Sequence, residues 1–505
     1  MMLEKIKKIN QRLERYYLYL ILLLAIFLRL RHLAVRDFWY DEAFTGVAIK
    51  ENFPDMIRMI INDVHPPLYY FTLKAFATFF GYGVFGIRLY SVVFGVLAVF
   101  ATYLFAKELF ERKSALFAAF LAAIAPFAIQ YSQEARMYSM LVFLLLISAY
   151  FFLKALKTDE IKNYIWWGIF LGLACLTHYM GIIFCATFYF AYVVWNIFDE
   201  QGQSKKINAV AWKSFVPNRA MLSGLFAALL IFSFWLKRFY YHLIDLGDNL
   251  SWVKPASFSD IFSNVQMFFL GTPVGEMSSG MPSPNDVEGI SRSSVLVFVT
   301  IFLVAIVFSL MCKEKKKTAI ALVFSFGFIG SVYIMSLLGR QYFVARYLLP
   351  GAYFIFVLIG AWLAQTKFYL KFSVLALYFV ALSFAIHLGF STGWNVLAKN
   401  TDKYAKNDYY IFTAFDYVIA KYYLGEDRLR LYNIDWPSYD PSYWAAISSD
   451  LRRVESFSAV ANDPRALILS NVPLDKKTSM DPTFDSRRLV LVERYNNIWA
   501  YRILQ

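Results

Sequence analysis

From residue 16 to residue 391 the sequence returns again and again to apolar runs of about 20 residues, the length a helix needs to cross the hydrocarbon core of a bilayer. A chain inside lipid must satisfy its backbone N–H and C=O groups internally, and at this run length the α-helix does so. Only 17% of the 505 residues are charged and 59% are hydrophobic, which excludes a soluble protein. Eleven spans are predicted, near 16–35, 87–105, 114–131, 137–153, 164–178, 180–197, 220–236, 294–312, 318–338, 347–364 and 371–391. The expected class is therefore a polytopic α-helical membrane protein with about 11 transmembrane helices.

The formal charge of +14 is dealt out in short basic clusters between these spans, which is a topology signal and not a nucleic-acid surface. With Lys5, Lys7, Lys8, Arg12 and Arg15 on the inner side, Lys107/Arg112/Lys113, Lys154/Lys157/Lys162, Lys205/Lys206/Lys213/Arg219, Lys313/Lys315/Lys316/Lys317 and Lys367/Lys371 fall inside as well. Two long connections, 36–86 and 237–293, then lie outside, together with everything after residue 391. The first apolar run carries Arg29, Arg31 and His32 at its far end and lacks a small-residue cleavage site, so it is expected to stay as the first span. Cys175, Cys185 and Cys312 lie in or beside apolar segments and form no disulfide or zinc pattern.

Residues 1–391 are thus expected to form the membrane domain, and 392–505 a small extracytoplasmic α/β domain. In the latter, 408–423 reads as helix, and 428–434, 466–469 and 489–493 as strands, the last pairing with 499–503 across Asn496-Asn497. Pro54 and Pro66-Pro67 in the first outer loop mark the starts of short helices. The Gly-, Pro-, Ser- and Met-rich stretch from 271 to 294 suggests a lid.

Polar residues in such a chain are costly unless paired or used. Here they gather at outer ends of spans: Tyr40-Asp41-Glu42, His65 before Pro66-Pro67, Glu134-Ala135-Arg136-Met137-Tyr138, His178, Arg340 and Arg346-Tyr347. Adjacent carboxylates at a helix start can supply a general base, although Asp41 would serve equally as a simple N-cap. Arginine forks onto phosphate better than any other side chain, which marks Arg136 and Arg346, with Arg340 a weaker third; snorkelling to headgroups is the competing role. His178 suits either the capping of a tight turn or contact with a substrate.

Taken together, Asp41-Glu42 after the first span, His65-Pro66-Pro67-Leu68-Tyr69-Tyr70, Glu134-Ala135-Arg136-Met137-Tyr138 and Arg346-Tyr347-Leu348-Leu349-Pro350 resemble the protein O-mannosyltransferase and aminoarabinose-transferase superfamily of C-type glycosyltransferases. The resemblance runs through residues 15–365, and the outer C-terminal domain is similar to that of the aminoarabinose branch. It implies a GT-C fold in the cytoplasmic membrane of a bacterium or archaeon. It also implies inverting transfer of a sugar from a polyprenyl-phosphate donor to an acceptor at the extracytoplasmic face. By matching positions it implies Asp41 as base with Glu42 beside it, and Arg136 and Arg346 at the lipid phosphate with His65 and Tyr347. Tyr40, Glu134, Tyr138, His178 and Arg340 are further pocket candidates. Glu42 offers one ligand for a divalent metal, though no ligand cluster demands one.

Two departures limit what is carried over. The loop 237–293 is too short for the domain that eukaryotic protein mannosyltransferases insert there, and His65 stands near where the aminoarabinose branch has a lysine. Neither sugar is therefore assigned, and the acceptor stays open among protein, lipid and glycan. Independently of the resemblance, no inner loop carries a glycine-rich phosphate cradle, so an outer-face transferase of this build needs a donor brought across on its own lipid. The rival function is a transporter or flippase of a lipid-linked substrate, which would place polar residues and broken helices at mid-membrane in repeated halves.

Overall fold

A computed structural model describes residues 2–198, 215–249, 256–271, 314–339 and 342–367, and parts of the chain from 369 to 504. The first helix, α1 (Met2–Leu30), is followed by three short helices, α2 (Tyr40–Lys50), α3 (Phe53–Asn62) and α4 (Leu68–Phe80). Asn52 caps α3 by accepting from the Asp55 N–H, with Pro54 in its first turn. Pro67 is the N-cap residue of α4. The bundle continues with α5 (Val84–Leu109), α6 (Arg112–Ile124), α7 (Pro126–Ser132), α8 (Tyr138–Thr158), α9 (Ile161–Thr177), α10 (Met180–Ile197), α11 (Arg219–Phe232), α12 (Leu236–Asn249) and α13 (Phe258–Leu270). Helical segments at 315–337 and 349–365 follow.

Among the described residues, six helices are long and apolar enough to cross a membrane: Val84–Leu109, Tyr138–Thr158, Met180–Ile197, Arg219–Ile244, Lys315–Leu337 and Ala345–Gln365. The α6–α7 pair, bent by 62°, makes a seventh if it counts as one span. The expected number of about eleven is therefore not reached here. The apolar part of α1, Tyr16–Leu30, falls short of a full span, and α9 has 17 residues. The expected span at 294–312 lies outside the described residues, as do most of that at 371–391 and the suggested lid beyond Gly271.

The α6–α7 bend has a chemical cause. Pro126 has no N–H to give to Ala122, so carbonyls at the break need other donors. Arg29, fully buried, supplies them, donating Nη2 to Ala122 O at 3.0 Å and Nη1 to Ala123 O at 2.9 Å, with Nε on Ser132 Oγ at 3.1 Å. Elsewhere helices meet through small residues, as membrane helices commonly do. A Cβ at Gly168 of α9 would lie 1.9 Å from the Gly224 carbonyl of α11, so neither helix can carry a larger side chain at that crossing.

The C-terminal part forms a six-stranded sheet in the order β3-β2-β1-β4-β6-β5, from β1 (Asp408–Ile411), β2 (Leu429–Tyr432), β3 (Arg453–Val454), β4 (Ala466–Ser470), β5 (Leu489–Tyr495) and β6 (Ile498–Ile503). The four strands β3, β2, β1 and β4 run parallel, and β6 pairs antiparallel with both β4 and β5. The β5–β6 hairpin turns through Asn496 at φ 51°, a conformation asparagine tolerates. One expectation is corrected: residues 408–411 form a strand, with helix only at Ala414–Leu424. Tyr409, Tyr410 and Ile411 are buried between β2 and β4, where strand pairing outweighs local helical pattern.

This C-terminal helix rests directly on α2. The Tyr422 ring lies 4.7 Å from that of Phe38, and Lys50 Nζ sits 3.7 Å above it. Tyr423 Oη accepts the Phe38 N–H at 3.0 Å. Gly46 of α2 makes room, because a Cβ there would stand 2.6 Å from the Tyr422 ring. Asp37 Oδ2 accepts the N–H groups of Gly393 (2.8 Å) and Trp394 (3.1 Å), capping the helix Trp394–Lys399 from outside.

Candidate active site

Asp41 stands in the first turn of α2, whose N-cap is Trp39 with no side-chain capping bond. Its carboxylate is thus not spent on capping. Oδ2 lies 3.9 Å from Arg136 Nε and 3.9 Å from Arg346 Nη1, and the side chain keeps 20% of its surface exposed. One accessible carboxylate between two guanidinium groups is a site that can hold an anion and a proton acceptor side by side.

Arg136 comes from the turn between α7 and α8 and is 2% exposed. Its Nη1 reaches Asp41 O (3.2 Å), Thr45 Oγ1 (3.3 Å) and Tyr70 Oη (3.4 Å), and Nη2 lies 3.4 Å from both ring nitrogens of His65. Arg346 sits in the 3-10 turn Ala345–Leu348 that opens the helix Leu349–Gln365, with its guanidinium 5.7 Å from the Trp39 ring and 5.6 Å from that of Tyr347. His65 is fixed by Asp63, whose Oδ2 is 3.0 Å from Nδ1 and also accepts Tyr70 Oη at 3.1 Å. Burial works to raise the Asp63 carboxyl, but His65 and Arg136 outweigh it and hold the group well below the usual carboxylate range.

Glu42 points elsewhere. It is 1% exposed and takes both Arg88 Nε and Nη2, at 2.8 and 2.7 Å, plus the Ala135 N–H at 2.8 Å. Ala135 separates Glu134 from Arg136, so this carboxylate anchors the turn that presents Arg136. With those lone pairs committed, Glu42 does not fit a metal, and among the described residues no three His, Cys, Asp or Glu side chains gather as a ligand set. Tyr40 is buried in the core beside it.

Glu134 is 6% exposed, with Oε2 buried and without a hydrogen-bond partner. Burial and the neighbouring Glu42 and Asp41 carboxylates push its carboxyl up to about 7, against the pull of Arg36 and Arg346. Tyr138, His178 and Tyr347 form an aromatic wall: the His178 ring lies 5.4 Å from His65, 5.9 Å from Tyr138 and 5.0 Å from Tyr347. Arg340 lies outside the described residues.

Beyond this wall opens a cleft whose lining includes His65, His178, Tyr179 and Tyr347. Its apolar flank is drawn from α10 (Ile182, Ile183), α12 (Phe239, Leu243) and Met335, all on membrane-length helices. This largely apolar lining suits a hydrocarbon chain.

Sequence reasoning missed Arg88, Asp63 and Trp39. Arg88 was open to detection, since an arginine inside an apolar span is functional or paired by default. Asp63 was visible only as a neighbour of His65, and Trp39 only as an aromatic before a helix.

Residues 64–236 match the family model for dolichyl-phosphate-mannose-protein mannosyltransferases. By sequence, no curated protein matches the chain. ArnT from Cupriavidus metallidurans, solved with undecaprenyl phosphate bound, superposes with a TM-score of 0.62 at 12% identity over 96% of this chain and 97% of that one. The chain shares the fold of this ArnT over nearly its whole length. The apo structure of the same ArnT agrees, at TM-score 0.62 and 12% identity over 96% and 98% of the two chains. An oligosaccharyltransferase from Archaeoglobus fulgidus is more distantly similar, with TM-score 0.49 and 13% identity over 90% of this chain and 69% of that one. Among the described residues, the motifs read from the sequence gather around one site, except Glu42, which faces Arg88.

Proposed function

We propose that this chain is a C-type integral-membrane glycosyltransferase that moves a sugar from a polyprenyl-phosphate donor to an acceptor hydroxyl at the extracytoplasmic face, with inversion. The observation that carries the reading is Asp41 Oδ2 at 3.9 Å from each of two arginines, near an apolar cleft lined by membrane-length helices. The donor phosphate engages Arg136 and Arg346 and takes up their charge, which frees Asp41 to act as base. The acceptor oxygen then attacks the anomeric carbon, the bond from that carbon to the phosphate oxygen breaks, and Asp41 receives the hydroxyl proton. Polyprenyl phosphate leaves with the bonding electron pair, stabilised by the two guanidinium groups. Glu42 takes no part in bond making; it holds α2, α5 and the Arg136 turn in register through Arg88 and Ala135.

The test uses protein in nanodiscs with a panel of polyprenyl-phosphate sugars and candidate acceptors, with released polyprenyl phosphate read by mass spectrometry. Release that falls at least about 100-fold in Asp41→Asn supports the reading. Absence of release from every donor, with the protein shown to be folded, refutes it.

A further inference from the structure

His178 carries two nitrogens with separate duties. Nδ1 accepts the Met180 N–H at 3.1 Å, closing the turn from α9 into α10. Nε2 is buried and has no hydrogen-bond partner, on a residue only 4% exposed that lines the cleft. An imidazole that accepts at Nδ1 and is neutral bears its proton on Nε2, so a buried N–H donor stands unanswered on a residue that lines the cleft. A buried donor without a partner costs free energy, and a ligand that supplies an acceptor recovers it.

We infer that His178 Nε2–H is a third ligand of the carrier phosphate, donating to a phosphoryl oxygen while the polyprenyl tail lies along Ile182, Ile183, Phe239 and Leu243. The inference rests on the proposed donor class. It adds a neutral donor to two cations. The hydrogen bond helps seat the phosphate without the extra charge that would hold a dianionic product after transfer.

Two substitutions separate the two nitrogens. In His178→Asn the amide oxygen occupies the place of Nδ1 and keeps the Met180 cap, but nothing reaches the cleft. In His178→Gln the amide N–H reaches the place of Nε2 and the cap is lost. Undecaprenyl phosphate binding is titrated for both variants and wild type in phosphatidylcholine nanodiscs, alongside unfolding temperature and donor KM. Expected is a loss of affinity and a rise in donor KM of about 10-fold or more for His178→Asn at near-wild-type unfolding temperature, with His178→Gln keeping most of the affinity at a lower one. Wild-type affinity in His178→Asn, or affinity losses that track unfolding temperature in both variants, overturns the inference. Displacement of undecaprenyl phosphate by phosphatidylglycerol at equal concentration overturns it too, because the cleft would then be a general lipid site. If wild type itself binds no undecaprenyl phosphate, the donor class fails first, and with it the inference.

Discussion

Glu42→Gln exchanges one carboxylate oxygen for an amino group at nearly constant volume. The native carboxylate meets three donors, two from Arg88 and one from the Ala135 N–H, all at 2.7–2.8 Å. The amide leaves one acceptor for those three and turns an N–H against them, while Arg88, 1% exposed, loses its counter-charge. Removing one partner of a buried pair costs about 3–5 kcal/mol. Arg88 also donates to the carbonyls of Leu33 (2.9 Å), Arg36 (2.8 Å) and Asp37 (3.0 Å), which survive the change and place the cost at the lower end, about 3 kcal/mol. Tryptophan fluorescence during heating in nanodiscs reads this as a clear fall in apparent unfolding temperature. Donor KM should rise as well, because the loosened turn carries Arg136. A variant that unfolds like wild type, keeps its KM and loses turnover would refute the reasoning and put Glu42 among the reacting groups.

Asp41→Asn should bind undecaprenyl phosphate at least as tightly as wild type, because it removes the anion standing between Arg136 and Arg346; a titration showing weaker binding would contradict the assignment of those arginines. Glu134 folds with its carboxyl at about 7 against an ordinary 4.5, so the native state binds the extra proton and stability declines as pH rises from about 4.5 through 7. Glu134→Gln should flatten that slope, of up to about 1 kcal/mol per pH unit, in unfolding measured between pH 5 and 8. Gly46→Val should drive Tyr422 off α2 and lower both unfolding temperature and turnover, whereas Gly83→Val, where an added Cβ meets nothing within 4 Å, should leave both near wild type. Arg29→Met should cost about 2–4 kcal/mol by leaving the carbonyls of Ala122 and Ala123 without donors, measured in the same melts.

The sequence motifs revealed the parts of the site that depend on local order. Asp41 follows a span, His65 precedes a Pro-Pro helix start, and Arg136 and Arg346 mark turns between apolar runs, so one-dimensional pattern singled them out, and the family resemblance joined them into one site. The division of labour within the Asp41-Glu42 pair was not legible. It depends on Arg88, 46 positions further along, and on which way each side chain leaves the first turn of α2. Residues 408–411 misled for a related reason, since their strand state is set by partners at 429–431 and 466–469. The break at Pro126 inside an apolar run was overlooked because hydropathy averages across it, and its compensating donor, Arg29, lies in another helix.

The grip of Tyr422 and Tyr423 on Phe38 and Lys50, at either end of α2, gives the C-terminal sheet domain a mechanical hold on the helix that bears Asp41. An antibody fragment that tilts that domain would reach the reaction centre without ever entering the bilayer. Under the proposed transfer this makes the C-terminal domain a remote handle, and a selection for binders that slow transfer should enrich for epitopes around the helix Ala414–Leu424.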